Sequence, residues 1–298
     1  MLDYKGIEAL FAVQNLQSFE GAAKKLHITQ SAISQRIKAL ESYYGEPVLI
    51  RTLPYRLTNL GKLLIGHYRQ ISLLEENFRQ QHSLAIEAPR FSLALNRDSL
   101  ETWFLHLIGK VPIFQDIILE IIADDQELTL DYLKNGLVSA CLSTTEKEIS
   151  GGRVQFIGNM EYFLVASPSF KRRYFSNKDI KDSLYHAPAI KFDKNDQLHE
   201  RYLEKYYAFN ATQINYQIIP SVRGFKQFAM LGYGYGLIPK IDIINELDRG
   251  ELIKLSEYAW NIPLYWHYWT VHSKFYQQIN SEIIRYAIEE LIIKPNMY

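Results

Sequence analysis

The sequence predicts a mixed α/β fold: a short helical bundle with a hairpin, then one long helix, then two α/β units. Three observations carry this. Helical periodicity runs from Tyr4 to about Tyr44, a second helical run extends from Thr58 to Ala88, and beyond Arg90 strand-like runs alternate with helical stretches. With 298 residues, 47% of them hydrophobic, the chain has material for about two domains with real cores.

Within the first run, apolar residues recur three and four apart and "NLQS" and "LHIT" punctuate them, which gives three short helices. Ser18 is placed to cap the second and Thr29 the third. "GEPVLIRTLPYRLT" then reads as a tight hairpin around Pro54. A helical bundle with a hairpin appended is a winged helix-turn-helix, expected over residues 1–58.

In the third helix Ile33, Ile37, Leu40 and Tyr44 share one face. The opposite face carries Gln30, Ser31, Ser34, Gln35 and Lys38. Gln can bond adenine bidentately, Ser can serve a base edge or a phosphate, and Lys can take guanine or phosphate, so this face suits the major groove of double-stranded DNA. An ordinary solvated face would more often carry Glu and Lys. Ala22 and Ala23 permit a close crossing of the second and third helices. Arg51 and Arg56 flank the hairpin tip, where phosphate or minor-groove contact would fix register.

Over residues 59–89 a linker helix is expected. Leu57, Leu60, Leu64, His67, Ile71, Leu74 and Phe78 step alternately by three and four, the spacing of a coiled-coil seam. A dimerisation helix is the favoured reading, and a helix packed on its own domain the alternative.

From Arg90 the runs "RFSLAL", "DIILEIIA", "LVSACLS", "YFLVAS" and "APAIKF" alternate with helical stretches such as Ser99–Val111 and Thr129–Asn135, as in a parallel sheet with crossover helices. The expected division of 90–298 is one subdomain of residues 90–163 plus 267–298 and a second of 164–266. "GYGYGLIP" has its glycines between a helix and a strand, the reverse of a dinucleotide fingerprint, so it reads as a helix stop.

Composition narrows the function. Cys141 is the one cysteine, which excludes a disulfide framework and thiolate zinc sites; inside "LVSACLS" it reads as a packing residue. Net charge is zero, with ten cations against eight anions in residues 1–89 and twenty-three against twenty-five beyond, which permits a nucleic-acid face without demonstrating one. No apolar run of about 18 residues and no signal-peptide pattern is present, so a cytoplasmic location off the membrane is expected. His67, His82, His106, His186, His199, His267 and His272 lie singly, and no nucleophile elbow, HExxH or phosphate loop occurs. An enzyme is not expected.

The order and spacing of Ser18, Phe19, Ala22, Ala23, Leu26, Thr29, Gln30, Ser31, Ala32, Ile33, Ser34, Ile37, Leu40, Glu41, Gly45, Leu49, Arg51, Thr58 and Gly61 resemble the N-terminal signature of LysR-type transcriptional regulators. The likeness spans essentially the whole chain. Within that family "KLHITQSAISQRIKALE", "LALNRDSLETW", "RGELIKL" and "LYWHYW" are similar to the ArgP/LysG branch of lysine- and arginine-responsive regulators, also described as inhibitors of chromosome initiation.

The resemblance implies a periplasmic-binding-protein-like domain with a cleft, no cofactor, a small effector such as lysine or arginine, and double-stranded DNA, a homo-oligomer (dimer or tetramer) and RNA polymerase as partners. Small molecules bind open sheets beyond the strand carboxyl ends. Asn96, Asp98, Ser99 and Thr102 follow the first strand at a helix start, which can hold a carboxylate. Asp98, Asp124, Asp125, Asp193 and Asp196, all at expected strand ends, are candidates for the effector's cation, and each has an ordinary alternative as a helix cap or loop residue. Trp103 can cover an aliphatic stem. Where the branch has a Ser-Ser-Glu run, this chain has "PSVRGF", keeping Ser221 but placing Arg223 at the acidic position, which would oppose a cationic effector. A DNA-bending architectural or replication-control protein with little ligand dependence is the alternative function.

Overall fold

A computed structural model of the chain describes residues 2–81, 88–176, 179–208, 214–270 and 273–293. They form two compact units that interleave in sequence: residues up to Asn96, Val111–Gln155 and Trp266–Ile284 in the first, Arg97–Lys110, Phe156–Tyr265 and the chain from Arg285 in the second.

The first unit begins with α1 (Tyr4–Leu16), α2 (Phe19–Lys25) and α3 (Gln30–Tyr44). Asp3, Ser18 and Thr29 cap them through side-chain oxygens that accept from Gly6 N, Gly21 N and Ala32 N. One core binds the bundle, with Ile7, Leu10 and Val13 of α1, Ala22 and Ala23 of α2, and Ile33, Ile37 and Leu40 of α3 all buried. The hairpin is β1 (Leu49–Ile50) and β2 (Arg56–Leu57), antiparallel, with Leu49 opposite Leu57.

Helix α4 (Asn59–Gln81) leaves this wing at Gly61, where a Cβ would lie 2.1 Å from the Val48 carbonyl oxygen, so only glycine permits the approach. The seam expected along α4 divides. Leu57, Leu60 and Leu64 are spent in the bundle's own core, as the alternative reading had it. Further on, Leu74 and Phe78 are 50% and 57% exposed, and Leu63, outside the expected seam, is 69% exposed. His67 lies within 3.4 Å of the Tyr4 hydroxyl. Residues 82–87, the expected end of this helix and the place of His82, lie outside the described residues, as does His272.

The α/β part of the first unit is built on β3 (Arg90–Asn96), β4 (Ile118–Asp124) and β5 (Ala140–Ser143), with β3 paired parallel to both others. Helix α7 (Thr129–Lys134) covers β3 and β5 through Leu130 and Leu133, which pack with Ala94 and buried Cys141. Burial raises the Cys141 thiol far above its ordinary value, in keeping with a packing role. Linker and sheet meet directly: a Cβ on Gly136, in the turn before β5, would fall 2.3 Å from Gly66 Cα of α4, and Arg69 of α4 donates to the Leu137 carbonyl. Helix α13 (Lys274–Ile288) is fixed by Tyr276, whose hydroxyl donates to Arg90 O at 3.0 Å.

The second unit starts with α5 (Arg97–Ser99), which passes through a π-helical turn (Leu100–Phe104) into α6 (Leu105–Lys110). Two long strands, β6 (Gly152–Ala166) and β10 (Ile253–Trp269), each carry the chain between the residues of one unit and those of the other. Strand pairing is mixed where a parallel sheet was expected, since β9 (Gly236–Pro239) pairs antiparallel with β6, Tyr162 lying opposite Pro239. The second unit also holds α8 (Pro168–Tyr174), α9 (Ile180–His186), β7 (Ala189–Lys191), α10 (Leu198–Tyr207), β8 (Tyr216–Ile218), α11 (Val222–Met230) and α12 (Lys240–Asp248). Phe163 and Val165 of β6 pack with Ile190, Ala229, Ile238 and Ile243. The glycine run after α11 ends that helix, with Gly232 at φ 78°.

Candidate functional site

On α3 the buried stripe Ile33, Ile37 and Leu40 fixes the helix's roll, and Gln30, Ser31, Gln35 and Lys38 stand exposed opposite it, with Ser34 half-buried. Ser18 and Thr29 are occupied as caps; Thr29 Oγ1 also lies 3.0 Å from Ser31 Oγ. Their role is to aim the two helices, and what remains free to reach outward is the row of amides, hydroxyls and one ammonium. On the wing, Arg56 is exposed, whereas Arg51 Nη2 is held 2.9 Å from Glu41, whose other oxygen accepts from Val48 N. Wing and recognition helix are tied together there. Sequence spacing did not reveal that tie, because Glu41 and Arg51 belong to different elements.

In the second unit the candidate residues gather at the turn after β3. Tyr162, on the face of β6 opposite Phe163 and Val165, donates from its hydroxyl to Asp98 Oδ2 at 2.6 Å. Asp98 Oδ1 takes no hydrogen bond among the described residues. Burial pushes the Asp98 carboxyl up to about 6; the Tyr162 hydrogen bond opposes that, Asp196 and Asp242 add to it, and Arg97 offsets them in part. Ser99 and Trp103 are fully buried, and the Ser99 hydroxyl and the Trp103 indole nitrogen have no hydrogen-bond partner among the described residues. Thr102 is occupied instead, donating to Asp98 O at 2.6 Å inside the π-turn. Arg97 reaches Asp193 at 3.6 Å and stacks on Phe192, 4.4 Å from the ring centre. Tyr162 and Arg97 were missed by sequence reasoning; a tyrosine in an apolar strand carries no signal of the carboxylate it meets.

The other candidates are engaged locally. Asp193 Oδ1 accepts from Asn195 N and Asp196 N, and both oxygens of Asp196 accept backbone amides, from Phe192 and Leu198. Ser221 caps α11 through Gly224 N, and Arg223 beside it is exposed. In the first unit Asn96 lies opposite Asp124 across β3 and β4, its buried Oδ1 without a partner among the described residues, while Asp124 accepts from Asp125 N and the Tyr132 hydroxyl. For Asp124, Asp125, Asp193 and Asp196 the loop and cap roles weighed from sequence are what the geometry displays. No group of three or more His, Cys, Asp or Glu side chains is placed for a metal among the described residues, and no described helix is long and apolar enough to cross a membrane.

Residues 4–62 match the model of the bacterial regulatory helix-turn-helix proteins of the lysR family. The chain is 39% identical over 292 residues to the HTH-type transcriptional regulator ArgP of Vibrio cholerae serotype O1 (strain El Tor Inaba N16961), covering 96% of this chain and 97% of that one. Its identity to the ArgP of Pseudomonas fluorescens (strain Pf0-1) is 34%, over 98% and 99%. Among solved structures, ArgP from Mycobacterium tuberculosis superposes with TM-score 0.86 at 29% identity, covering 96% of this chain and 98% of that one. Full-length LysG from Corynebacterium glutamicum with bound effector Arg superposes with TM-score 0.78 at 29% identity, over 97% and 99%. The chain belongs to the LysR family of helix-turn-helix transcriptional regulators, in the branch of the ArgP proteins, and is a DNA-binding regulator rather than an enzyme.

Proposed function

We propose that the regulator reads DNA through Gln30, Ser31, Ser34, Gln35 and Lys38, with Arg51 and Arg56 on the backbone, and that a basic amino acid, arginine or lysine, bound in the domain of residues 90–298 sets when it does so. Residues 1–58 are then the DNA-binding head and 59–89 the linker. The exposed polar row on α3, held by a buried apolar stripe, supports the first part. The effector part rests on the arginine in LysG and on the unpaired polar corner at Asp98, Ser99 and Trp103.

Asp98 is the residue assigned to the ligand's cation, since a partly buried carboxylate with one oxygen free binds a cation more strongly than a fully solvated one. Asp193 acts through Arg97, and Asp124 and Ser221 support their own turns. Exposed Arg223 points to no direct part in the cation site. The exposed Leu63, Leu74 and Phe78 on α4 suit a second copy of the chain, so a dimer, or a tetramer, in the cytoplasm and acting with RNA polymerase completes the reading.

Binding of the full chain to promoter fragments, measured across several salt concentrations with and without arginine, tests this. Sequence-dependent affinity that shifts with arginine is expected. Sequence-blind binding, unmoved by arginine or lysine, would favour the architectural alternative.

A further inference from the structure

We propose that Tyr162 is a positioning residue for effector recognition: its hydroxyl holds the Asp98 carboxylate by one oxygen and leaves the other for the cation of the ligand. This rests on the basic amino-acid reading above and assigns a residue outside the expected set.

The geometry is specific. Tyr162 is buried on β6, and pairing with Pro239 of β9 locks its register, so a strand rather than a loop sets the hydroxyl. The 2.6 Å bond to Oδ2 is short and charge-assisted. Oδ1 accepts no hydrogen bond among the described residues, and in the same helix start the buried Ser99 hydroxyl and, one turn on, the buried Trp103 indole nitrogen have no partner among them either; buried polar groups without partners are rare enough to signal a missing one.

The charged groups acting on Asp98 come from three elements. Arg97 on its own helix is engaged by Asp193 and Phe192. Asp196, from the segment between β7 and α10, accepts from two backbone amides, and Asp242 of α12 is paired with Lys226 at 2.9 Å. The field at Asp98 thus lacks a free cation from the described residues, and an incoming guanidinium or ammonium would supply it. Since burial holds the carboxyl near 6, Tyr162 also sets the pH above which Asp98 is ionised and competent to bind.

The test is calorimetric titration of the full chain and of Tyr162→Phe with arginine at about pH 6, 7 and 8. Removing a hydrogen bond to the ionised form moves the carboxyl further up. The variant should lose about 5- to 20-fold in affinity near pH 7, more near pH 6 and less near pH 8. A loss equal at every pH, or no loss, overturns the proposal. Ligand-free unfolding gives a second readout: the pH window in which stability falls should move upward in Tyr162→Phe, and an unmoved window also overturns it. An unsubstituted chain that binds neither arginine nor lysine would instead sink the effector reading, and this proposal with it.

Discussion

The recognition helix and the Asp98 corner handle polar groups in opposite ways. On α3 the hydroxyls that matter to folding are satisfied as caps, and the groups that would meet DNA are left in water. At the corner the Ser99 hydroxyl and the Trp103 indole are out of water and unpaired among the described residues, and the partly buried Asp98 carboxylate has one oxygen bonded. A surface that must slide, sample and release carries its polarity solvated, where changing partners costs little. On the proposed reading, a ligand arriving at largely buried, incompletely paired groups would change the energy of the whole corner.

The largest expected effect breaks the head without touching either set of polar groups. Gly61→Val forces a side chain onto the Val48 carbonyl and should cost about 3 kcal/mol or more, read as lost cooperativity of head unfolding and loss of DNA binding. Next, Gln30→Ala and Gln35→Ala should each relax base preference by about 1–3 kcal/mol while non-specific affinity stays. Equal weakening on all sequences would mean the amides are merely solvated.

Asp98→Asn sharpens the contrast from the other side. The folded carboxyl holds its proton up to about 6, whereas an unfolded one releases it near about 4, so the folded state binds more protons between these values and stability falls as pH rises through that window. Replacing Asp98 with Asn removes this dependence. The ligand-free variant should gain about 1–2 kcal/mol near pH 8, gain little near pH 4, and lose its response to arginine. Ser18→Ala should cost about 1 kcal/mol through the lost cap, with base preference intact. The smallest effect is that of Arg56→Ala, a drop of about one in the salt slope of DNA binding.

How much of this the sequence disclosed follows the same contrast. The head was legible almost residue by residue, because caps, buried stripe and reading face are all set by spacing within one helix. The expected seam on α4 failed in its first half because spacing alone does not distinguish a second chain from the helix's own bundle, and Leu60 and Leu64 found the bundle first. At the corner the strand-end rule pointed to Asp98 and Ser99, and Trp103 was chosen as a cover for an aliphatic stem; the structure bonds Asp98 to Tyr162 and buries Ser99 and Trp103. The rule also drew in Asp124 and Asp193, whose oxygens are taken up by their own loops. What singles out Asp98 is a partner 64 residues away, and such a contact is fixed by strand register, which no local pattern encodes.

The crossing of α4 over the turn before β5 has a mechanical meaning. With Gly66 against Gly136 and Arg69 anchored on the Leu137 carbonyl, the linker is braced against the sheet that begins at Arg90. Such bracing suits a strut rather than a tether, and a displacement of the β3–β5 layer would then be transmitted along α4 to the bundle instead of being absorbed on the way. Loosening that brace, as a bulkier residue at Gly136 would, should leave both DNA and arginine bound yet deaf to one another.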